Sequence, residues 1–479
     1  MRAARDSGAS SGESVSTPAV VIAAPASGSG KTTLATGLIG ALRRAGHRVA
    51  PFKVGPDYID PGYHGLAAGR PGRNLDPVLV GAERVVPLYR HGTRGRDIAV
   101  VEGVMGLFDG RIDDNQADAV AEGSTAQVAA LLGAPVVLVV DARGHSQSLA
   151  ALLHGFATFD SGIRLGGVIL NRVGSERHEQ VLRAACARVG LPVLGALPRM
   201  AELAVPSRHL GLIPAVEHGG AAQAAVEAMT ELVAAHVDLA EIARLAAVRV
   251  DGPAWDPIDA VAGSAARPDT GEIVIAVAGG AAFTFGYAEH RELLEAAGAA
   301  VVAFDPLRDE LPTGASGLVL PGGFPEEHAA ELATNRPLLT AVAEAARRGM
   351  PVHAECAGLL YLARSLDGHR MAGVVDVAAE FGPRLTLGYR DAVALADSPL
   401  WRAGERVRGH EFHRTRLVGA DTHAPAWGWR SPDGRPTREG ALTHRVHASY
   451  LHTHPAGNPT ATARFIAAAA AYAADRADA

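Results

Sequence analysis

The sequence predicts an α/β protein in which two domains each contain a largely parallel sheet. In both halves of the chain, short β-branched apolar runs alternate with helical stretches rich in Ala and Leu. Near-continuous apolar strands separated by helices are typical of a parallel sheet that helices cover on both faces. A chain of 479 residues is long enough for two or more domains, each with its own core.

The predicted segments follow one another in a clear order. Residues 1–18 are polar and rich in Ser, Gly and Ala, and they predict a disordered tail because such a segment buries little apolar surface. Residues 19–246 form the first domain, with strands predicted at AVVIAAP, RVAPFKV, DIAVVEG, APVVLVVDA, LGGVILNRV and PVLGALP. Residues 247–271 are rich in Pro, Asp and Gly and predict a linker. Residues 272–468 form the second domain, with strands predicted at EIVIAVAG, AAVVAFDP, GLVLPGG and MPVHAEC.

The composition argues against several classes of partner. A net charge of −6 gives no reason to expect nucleic acid or an anionic membrane surface as a partner. No apolar run reaches the roughly 18 residues that a membrane-spanning helix needs. Two cysteines are too few for a disulfide framework, so we expect a reducing compartment, the cytoplasm. The sequence leaves a homo-oligomeric assembly open.

The first domain opens with a phosphate-binding loop. PASGSGKTT, residues 25–33, nearly matches G-x-x-x-x-G-K-[ST] and joins a predicted strand to a predicted helix, which is the context that this motif requires. Gly28 and Gly30 let the backbone approach phosphates, while Lys31 would reach the terminal phosphates and the Thr32 hydroxyl would reach Mg²⁺. Pro25 stands where the first glycine is usual and removes one backbone donor. A purely structural turn is the alternative.

A magnesium–nucleotide site also needs hard oxygen ligands, and carboxylates follow two predicted strands. Asp57 comes after VAPFKV and Glu102 after DIAVV, at the strand ends where ligands gather in open parallel sheets. Asp60 and Asp109 precede Pro and Gly, so ordinary turn chemistry explains them equally well. Asn171 ends another predicted strand, where its amide could contact the adenine edge of a nucleotide.

The second domain carries a candidate nucleophile. In MPVHAECAGLLYLA, Cys356 lies at a sharp turn between a predicted strand and a predicted helix, where the helix N-terminus favours a thiolate. Cys186 lies within a helical run of alanines, and we interpret it as a packed core thiol. Gly323 follows another predicted strand, and its backbone N–H together with that of Ala357 would form an oxyanion hole.

The base for this thiol is sought in VHASYLHTHP. This segment offers His447, His452 and His454, of which the sequence pattern alone selects none. A zinc site is disfavoured because no companion Cys or acid has a suitable spacing.

Taken together, these motifs resemble a known family. APASGSGKTT, KVGPDYIDP, VEGVMGLFDG, PGGFPEEHAAEL, ECAGLLYL, LGYR, RGHEFHRT and ASYLHTH are similar to segments of the cobyrinic or hydrogenobyrinic acid a,c-diamide synthases of cobalamin biosynthesis, in the same order. The resemblance implies amidation of the a and c acetate groups of a corrin ring, with ATP and L-glutamine as the other substrates. It also implies a P-loop-type, dethiobiotin synthetase-like nucleotide domain followed by a class I glutamine amidotransferase-like domain of the cobalamin type.

The resemblance assigns roles to individual residues. Cys356 would be the nucleophile and His452, which follows SYL, its base; Asp57, Glu102 and Thr32 would bind Mg²⁺. The residues expected at ATP are Gly28, Ser29, Gly30, Lys31, Thr32, Thr33 and Asn171, and those expected near the cobyrinate or hydrogenobyrinate carboxylates are Tyr58, Ile59 and Asp60. Amidotransferases of the wider class have Glu two residues after the histidine, where this chain has His454, so the third member of the site stays unassigned.

Two other functions fit part of the pattern. A related synthase acting on another tetrapyrrole, such as nickel-sirohydrochlorin, would share these motifs. A regulatory partitioning-type ATPase fused to an inactive amidotransferase fold would share the nucleotide domain, but it would not need Cys356 in its elbow.

Overall fold

The computed structural model describes residues 16–112, 120–199, 207–208, 211–247, 249–262, 273–419, 424–431 and 433–477. Residues 1–15 of the predicted tail and residues 263–271 of the predicted linker lie outside these ranges. Thr17, at the end of the predicted tail, is buried, and its hydroxyl donates to the carbonyls of Thr93 and Arg96. The predicted domain boundaries themselves stay a prediction.

The first domain contains the predicted parallel sheet. Its seven strands are β1 (Ala19–Ala23), β2 (Val49–Val54), β3 (Arg73–Leu75), β4 (Ile98–Glu102), β5 (Val136–Asp141), β6 (Leu165–Val173) and β7 (Val193–Pro198), and a short hairpin follows with β8 (Ser207–Arg208) and β9 (Gly211–Leu212). The sheet order is β3-β2-β4-β1-β5-β6-β7, and every pairing in it is parallel. The central strands are buried along their whole length because helices cover both faces.

The helices connect these strands in the expected alternation. They are α1 (Lys31–Arg44), α2 (Asp60–Ala68), α3 (Pro77–Val80), α4 (Ala82–Gly92), α5 (Thr125–Leu132), α6 (Leu149–Thr158), α7 (Glu176–Arg188), α8 (Ala215–His218), α9 (Gly220–His236), α10 (Leu239–Leu245) and, in the predicted linker, α11 (Pro257–Ala262). The first strand, the phosphate-binding loop and α1 therefore follow one another as the sequence predicts.

The second domain has two sheets. Its strands are β10 (Ile273–Ala278), β11 (Ala299–Phe304), β12 (Ala315–Leu320), β13 (Val352–Glu355), β14 (Ser365–Leu366), β15 (His369–Arg370), β16 (Ala378–Ala394), β17 (Arg406–Val418), β18 (Trp427–Arg430), β19 (Pro436–Glu439), β20 (Ala441–Thr443), β21 (Val446–Ser449) and β22 (His452–Thr453). The first sheet has the order β11-β10-β12-β13-β21-β20 and is parallel except for the β20–β21 pair. The helices of this domain are α12 (Ala288–Ala296), α13 (Ala329–Leu332), α14 (Arg336–Arg347), α15 (Ala357–Leu362) and α16 (Pro459–Ala477).

The other sheet of this domain was not predicted. It has the order β15-β14-β16-β17-β22, and its long antiparallel pair β16–β17 also carries β18 and β19 at one side. Strand β16 includes Gly382 and Pro383 and exposes much of its length to solvent, so it lacks the continuous apolar run by which buried strands are recognised. This sheet matters for the site because it places β22, and with it His452, next to β17.

The two domains pack against each other through shared apolar clusters. Ile59 and Tyr63 of the first domain cluster with Phe285 and Phe324 of the second. Such shared burial fixes the relative position of the two predicted sites. Among the helices that the structure describes, none combines the length and the apolar character needed to cross a membrane.

Candidate active site

The phosphate-binding loop lies between β1 and α1 with its glycines in the left-handed region. Gly28 has φ 79° and Gly30 has φ 93°, values that side chains disfavour. A Cβ on Gly30 would lie 2.4 Å from Nδ2 of Asn171, so only glycine fits there. That same Nδ2 donates to the carbonyl of Ser29 at 2.9 Å. Asn171, predicted to contact adenine, thus braces the loop in this structure; its role toward ATP stays a prediction.

Lys31 is the first residue of α1, and its side chain reaches the backbone of the segment that follows β4. It is largely buried, and its Nζ donates to the carbonyl of Met105. Burial, followed by the nearby ammonium of Lys53, lowers the pKa of Lys31. Both effects disfavour its charge, so anionic phosphates placed beside this ammonium would be strongly favoured. Thr33, which is also predicted to contact ATP, is partly exposed at the same end of α1, and its role stays a prediction.

Thr32 lies within a cluster of buried charged groups. Its hydroxyl lies 2.7 Å from Oε1 of Glu102 and 3.1 Å from Oδ2 of Asp60. Lys53, which the sequence analysis did not single out, places Nζ 2.8 Å from Oδ2 of Asp60 and 2.9 Å from Oε1 of Glu102. Lys53 is the penultimate residue of the otherwise apolar strand β2, and a charged residue within an apolar run was the signal that could have identified it. Its register partner on β4 is Glu102.

The charges in this cluster stabilise one another. Burial works to raise the pKa of Glu102, but Lys53 and then His64 outweigh it and hold that pKa below its ordinary value. Burial, together with the negative charge of Asp57, raises the pKa of Asp60. Lys53 remains fully charged, because the two carboxylates outweigh its own burial and raise its pKa. His64, a second residue that the sequence analysis missed, lies on α2 and places Nε2 2.6 Å from Oε2 of Glu102.

Asp57 is used differently from Asp60. Its Oδ1 accepts hydrogen bonds from the backbone N–H groups of Ile59 at 2.8 Å and of Asp60 at 2.9 Å, so it shapes the turn into α2. The structure therefore brings together Thr32, Glu102 and Asp60, whereas no contact joins Asp57 to the hydroxyl of Thr32. The predicted role of Asp57 as a magnesium ligand stays a prediction.

The donor atoms at this cluster fit Mg²⁺. Thr32, Asp60 and Glu102 offer only hard oxygen atoms, which are the ligands that this ion takes, and Lys53 shows that the two carboxylates accept a cation between them. In the part of the chain that the structure describes, no three or more His, Cys, Asp or Glu side chains form a ready-made metal cage. Mg²⁺ usually keeps several waters and binds through one or two carboxylates plus substrate phosphates, and its binding at this cluster stays a prediction.

The candidate nucleophile lies in the second domain on a strained turn. Cys356 connects β13 to α15 with φ 48° and ψ −97°, a conformation that costs of order 1–3 kcal/mol for a non-glycine residue. A Cβ on Gly358 would lie 2.2 Å from the carbonyl oxygen of Leu320, so glycine is needed for this close approach. This strand–turn–helix geometry is that of a nucleophile elbow. By contrast, Cys186 is buried in the core of the first domain, as predicted.

The predicted oxyanion donors face the sulfur of Cys356. Burial, and then the charge of Glu326, raise the pKa of this thiol, while the backbone N–H groups of Gly323 and Ala357 work in the opposite direction. Groups that stabilise a thiolate at this position are also aimed to stabilise an oxyanion formed beside it. The burial further means that the thiol needs a base before it can attack.

Of the three candidate bases, two have other contacts. His447 is buried on β21 and hydrogen bonds to the hydroxyl of Ser398 at 3.2 Å. Nδ1 of His454 accepts the backbone N–H of Ala456 at 3.2 Å, and its ring packs 4.1 Å from that of Tyr287. His452 is completely buried, and neither of its ring nitrogens has a hydrogen-bond partner among the described residues. Because Nε2 of His454 also lacks a hydrogen-bond partner among the described residues, the choice of His452 as the base stays a prediction.

Tyr58 joins the two sites physically. Its ring stacks on Phe285 at 4.9 Å between centroids and lies 4.9 Å from the ring of His452, while its hydroxyl is 2.9 Å from that of Tyr287. It was predicted to lie near the acceptor, as was Ile59, which is buried in the apolar cluster shared by the domains. Both substrate roles stay predictions, and in this structure the Tyr58 ring contacts the amidotransferase domain.

Comparisons with known proteins agree with this division. Residues 20–213 match the family model for the CobQ/CobB/MinD/ParA nucleotide binding domain, and residues 274–460 match that for the CobB/CobQ-like glutamine amidotransferase domain. A hydrogenobyrinate a,c-diamide synthase of Mycobacterium bovis is 63% identical, covering 94% of this chain and 98% of the relative. One of Streptomyces coelicolor is 56% identical over 94% of this chain and 97% of the relative. A cobyrinate a,c-diamide synthase of Gloeobacter violaceus is 41% identical over 94% of this chain and 96% of the relative.

Proposed function

The chain belongs to the cobyrinate and hydrogenobyrinate a,c-diamide synthase family, and from this premise we propose that it amidates the a and c acetate groups of hydrogenobyrinate with ATP and L-glutamine. The protein is thus a glutamine-hydrolysing carbon–nitrogen ligase of cobalamin biosynthesis. Relatives named for hydrogenobyrinate are 63% and 56% identical to it, against 41% for the relative named for cobyrinate. This difference supports the metal-free corrin as the acceptor. Neither alternative, the nickel-sirohydrochlorin enzyme or the regulatory ATPase, has such support.

The observation that carries the proposal is the pairing of two unlike sites on one chain, whose two domains share a buried apolar cluster. A carboxylate does not react directly with ammonia, because an oxide ion is too poor a leaving group. In the first domain, a carboxylate oxygen of the acceptor attacks the γ-phosphorus of ATP, the bond to the bridging oxygen breaks, and an acyl phosphate and ADP result. Ammonia then attacks the acyl carbon and inorganic phosphate leaves.

The residues of the first domain hold these reactants. Backbone N–H groups from Gly28 to Thr33 would surround the phosphates at the start of α1, and the Lys31 ammonium would balance charge on the transferred group. Thr32 and Glu102 would hold Mg²⁺ together with Asp60, which lies beside them, while Asp57, the third ligand expected from the sequence, shapes the adjoining turn. The expected role of Asp60 near the acceptor carboxylates stays a prediction. When bound, the ion supplies positive charge that offsets the developing charge on the phosphate oxygens.

Ammonia comes from glutamine in the second domain. His452 takes the thiol proton, Cys356 attacks the side-chain amide carbon, and the N–H groups of Gly323 and Ala357 bind the resulting oxyanion. The carbon–nitrogen bond then breaks, with the proton returned to the leaving ammonia, and water hydrolyses the thioester to glutamate. Both cysteines are free, which suits the reducing cytoplasm in which we place the enzyme.

Replacing Cys356 by Ala tests this proposal. The variant should lose glutamine-dependent amidation and glutaminase activity, yet diamidate hydrogenobyrinate when an ammonium salt is supplied at a pH that provides free ammonia. His452→Asn should behave similarly but less completely, and His447→Asn and His454→Asn are the matched controls. Product masses with metal-free and cobalt-containing corrins are the measurement. Retained glutamine activity in Cys356→Ala would overturn the nucleophile, and a preference for the cobalt-containing corrin would overturn the proposed acceptor.

A further inference from the structure

The amidotransferase site has a carboxylate that no sequence motif of the wider class anticipates. Glu355 is the last residue of β13 and immediately precedes Cys356. Its Oε2 lies 3.7 Å from Nδ1 of His452, and its side chain is only 15% exposed. The position where the wider class has its glutamate holds His454, which instead caps the turn at residues 455–457. The site therefore lacks the glutamate that the wider class has two residues after the histidine, but Glu355 places a carboxylate near the same imidazole.

The contacts of Glu355 divide its two oxygens between different tasks. Oε1 accepts the backbone N–H of Thr453 at 3.1 Å and the Thr453 hydroxyl at 3.0 Å, and Nε2 of His353 lies 3.3 Å from it. These contacts fix the carboxylate in place. They leave Oε2 turned toward His452, within reach of its Nδ1. Because the contacts come from the residue that follows His452, strand β22 holds the carboxylate and the imidazole in one arrangement.

Building on the proposed function, we propose that Glu355 is the positioning residue that completes the Cys356–His452 site. Its carboxylate accepts a hydrogen bond from Nδ1–H, which leaves Nε2 as the unprotonated nitrogen that takes the thiol proton. The imidazolium formed after that transfer gains a counter-charge at the same oxygen. Burial works to raise the pKa of Glu355, but His353 and His452 outweigh it and hold that pKa well below its ordinary value, so the group is anionic. The 3.7 Å separation is typical of a site without substrate, where such contacts are longer than in the reacting complex.

The geometry also explains why the acid can come from this side. Strand β22 pairs with β17 through His410 and His452, and β13 pairs with β21 within the other sheet. The turn that carries Cys356 therefore lies at the end of one sheet, next to the edge strand of the other sheet that carries His452. This arrangement brings the residue directly before Cys356 close to His452. Among the described residues, Glu355 is the carboxylate that lies within 4 Å of a His452 ring nitrogen.

The test is a double-mutant cycle on glutaminase activity. Glu355→Gln keeps the shape and the contacts with Thr453 but cannot stabilise an imidazolium; it should lower kcat roughly 10- to 100-fold and leave the KM for glutamine within about twofold. Because Glu355 acts through His452, the double variant Glu355→Gln/His452→Asn should be no slower than His452→Asn alone. Glu355→Asp, which retains the charge, should recover part of kcat. Ammonium-dependent amidation should stay unchanged in all of these variants.

Glu439→Gln is the matched control. Glu439 is a second, half-buried glutamate of the same domain, whose carboxylate accepts from the Ser449 hydroxyl at 2.6 Å and from the Tyr450 backbone N–H at 2.7 Å rather than contacting His452. Burial raises its pKa to about 7, so an uncharged amide is close to its native state and kcat should stay within about twofold. The positioning role would be overturned if kcat is unchanged in Glu355→Gln. It would also be overturned if the fold loss of kcat in the double variant equals the product of the losses in the two single variants. If His452→Asn itself keeps full glutaminase activity, the proposed function fails at the base, a result distinct from either of these.

Discussion

Replacing Arg73 by Met should loosen the contact between the two domains more than it disturbs either domain. Nη1 of Arg73, on β3 of the first domain, lies 2.7 Å from Oε1 of Glu289 on α12 of the second. The exposed fractions of these side chains are 9% and 2%, so the variant would leave a buried carboxylate without its counter-charge. Breaking a buried ion pair on one side costs about 3–5 kcal/mol. At roughly 2–4 °C per kcal/mol for domains of this size, the unfolding midpoint should fall by about 6–20 °C.

Lowering the pH should weaken the same group of charged residues in the unmodified enzyme and so reduce its free energy of unfolding. Glu292, one turn along α12, contacts Arg73 and lies 2.9 Å from Nε2 of His91. Burial works to raise the pKa of Glu292, but His91 and Arg73 outweigh it and lower that pKa from 4.5 to about 2. The folded state therefore favours the ionised carboxylate, so this stabilisation is complete above pH 4.5 and is lost as the pH falls toward 2. This lowering of the pKa corresponds to about 3 kcal/mol of stability. Because the Glu292 side chain is 26% exposed, solvent screening reduces the expected contribution to about 2 kcal/mol.

The functional assay is the ratio of glutamate released to amide formed. In a tightly docked enzyme this ratio should be close to one, whereas Arg73→Met should raise it because ammonia escapes at the loosened interface. Arg48→Met is the control, since Arg48 pairs with Asp97 within the first domain at 2.6 Å while 64% exposed, and such pairs contribute about 0–1 kcal/mol. The reasoning is refuted if Arg73→Met retains both the midpoint and the ratio of the unmodified enzyme.

Two further predictions concern the first domain. Glu102→Gln should abolish amidation with glutamine and with ammonium, because it removes a negative charge next to Thr32 and Lys53 without changing the shape of the side chain. Glutaminase activity should persist in this variant. Near-normal amidation, measured by mass spectrometry, would contradict the assignment of Glu102 as a metal ligand. Tyr58→Ala should raise the glutamate-to-amide ratio, because it removes the ring that contacts both Phe285 and His452. Tyr58→Phe should lose only the hydroxyl contact with Tyr287, worth about 0.5–1.5 kcal/mol, so its ratio should stay close to that of the unmodified enzyme. A raised KM for the corrin with an unchanged ratio would instead assign Tyr58 to the acceptor.

The first domain was predictable because its central strands are buried on both faces. An apolar run such as AVVIA can be recognised without knowing its neighbours, and glycines at forbidden backbone angles mark the loop that follows it. The antiparallel pair β16–β17 gave no comparable signal, since partly exposed strands depend on pairing rather than on a continuous apolar run. Its absence from the prediction also hid the strand pairing that places His452.

Side-chain partnerships across strands were the hardest feature to predict. Lys53 and Glu102 are adjacent only because β2 and β4 pair in one register, and a shift by one residue would turn these side chains to opposite faces of the sheet. Glu355 stood beside Cys356 in the quoted sequence, yet its significance depends on Thr453 and His452, which a different sheet brings to it. Local patterns predicted the nucleophile, whereas the charged groups around it could be recognised only from the tertiary structure.

The turn from residue 57 to residue 60 shows how the two sites are connected within one chain. Asp57 shapes the turn, Tyr58 contacts the amidotransferase domain, Ile59 is buried in the core and Asp60 reaches Thr32. Consecutive residues can point in such different directions because the turn leaves the carboxyl end of a strand and enters a helix. The Tyr58 ring therefore connects this turn to His452 by direct contact. Since ammonia released into water would be protonated and lose its nucleophilic lone pair, a contact of this kind favours its production where the acyl phosphate is already held.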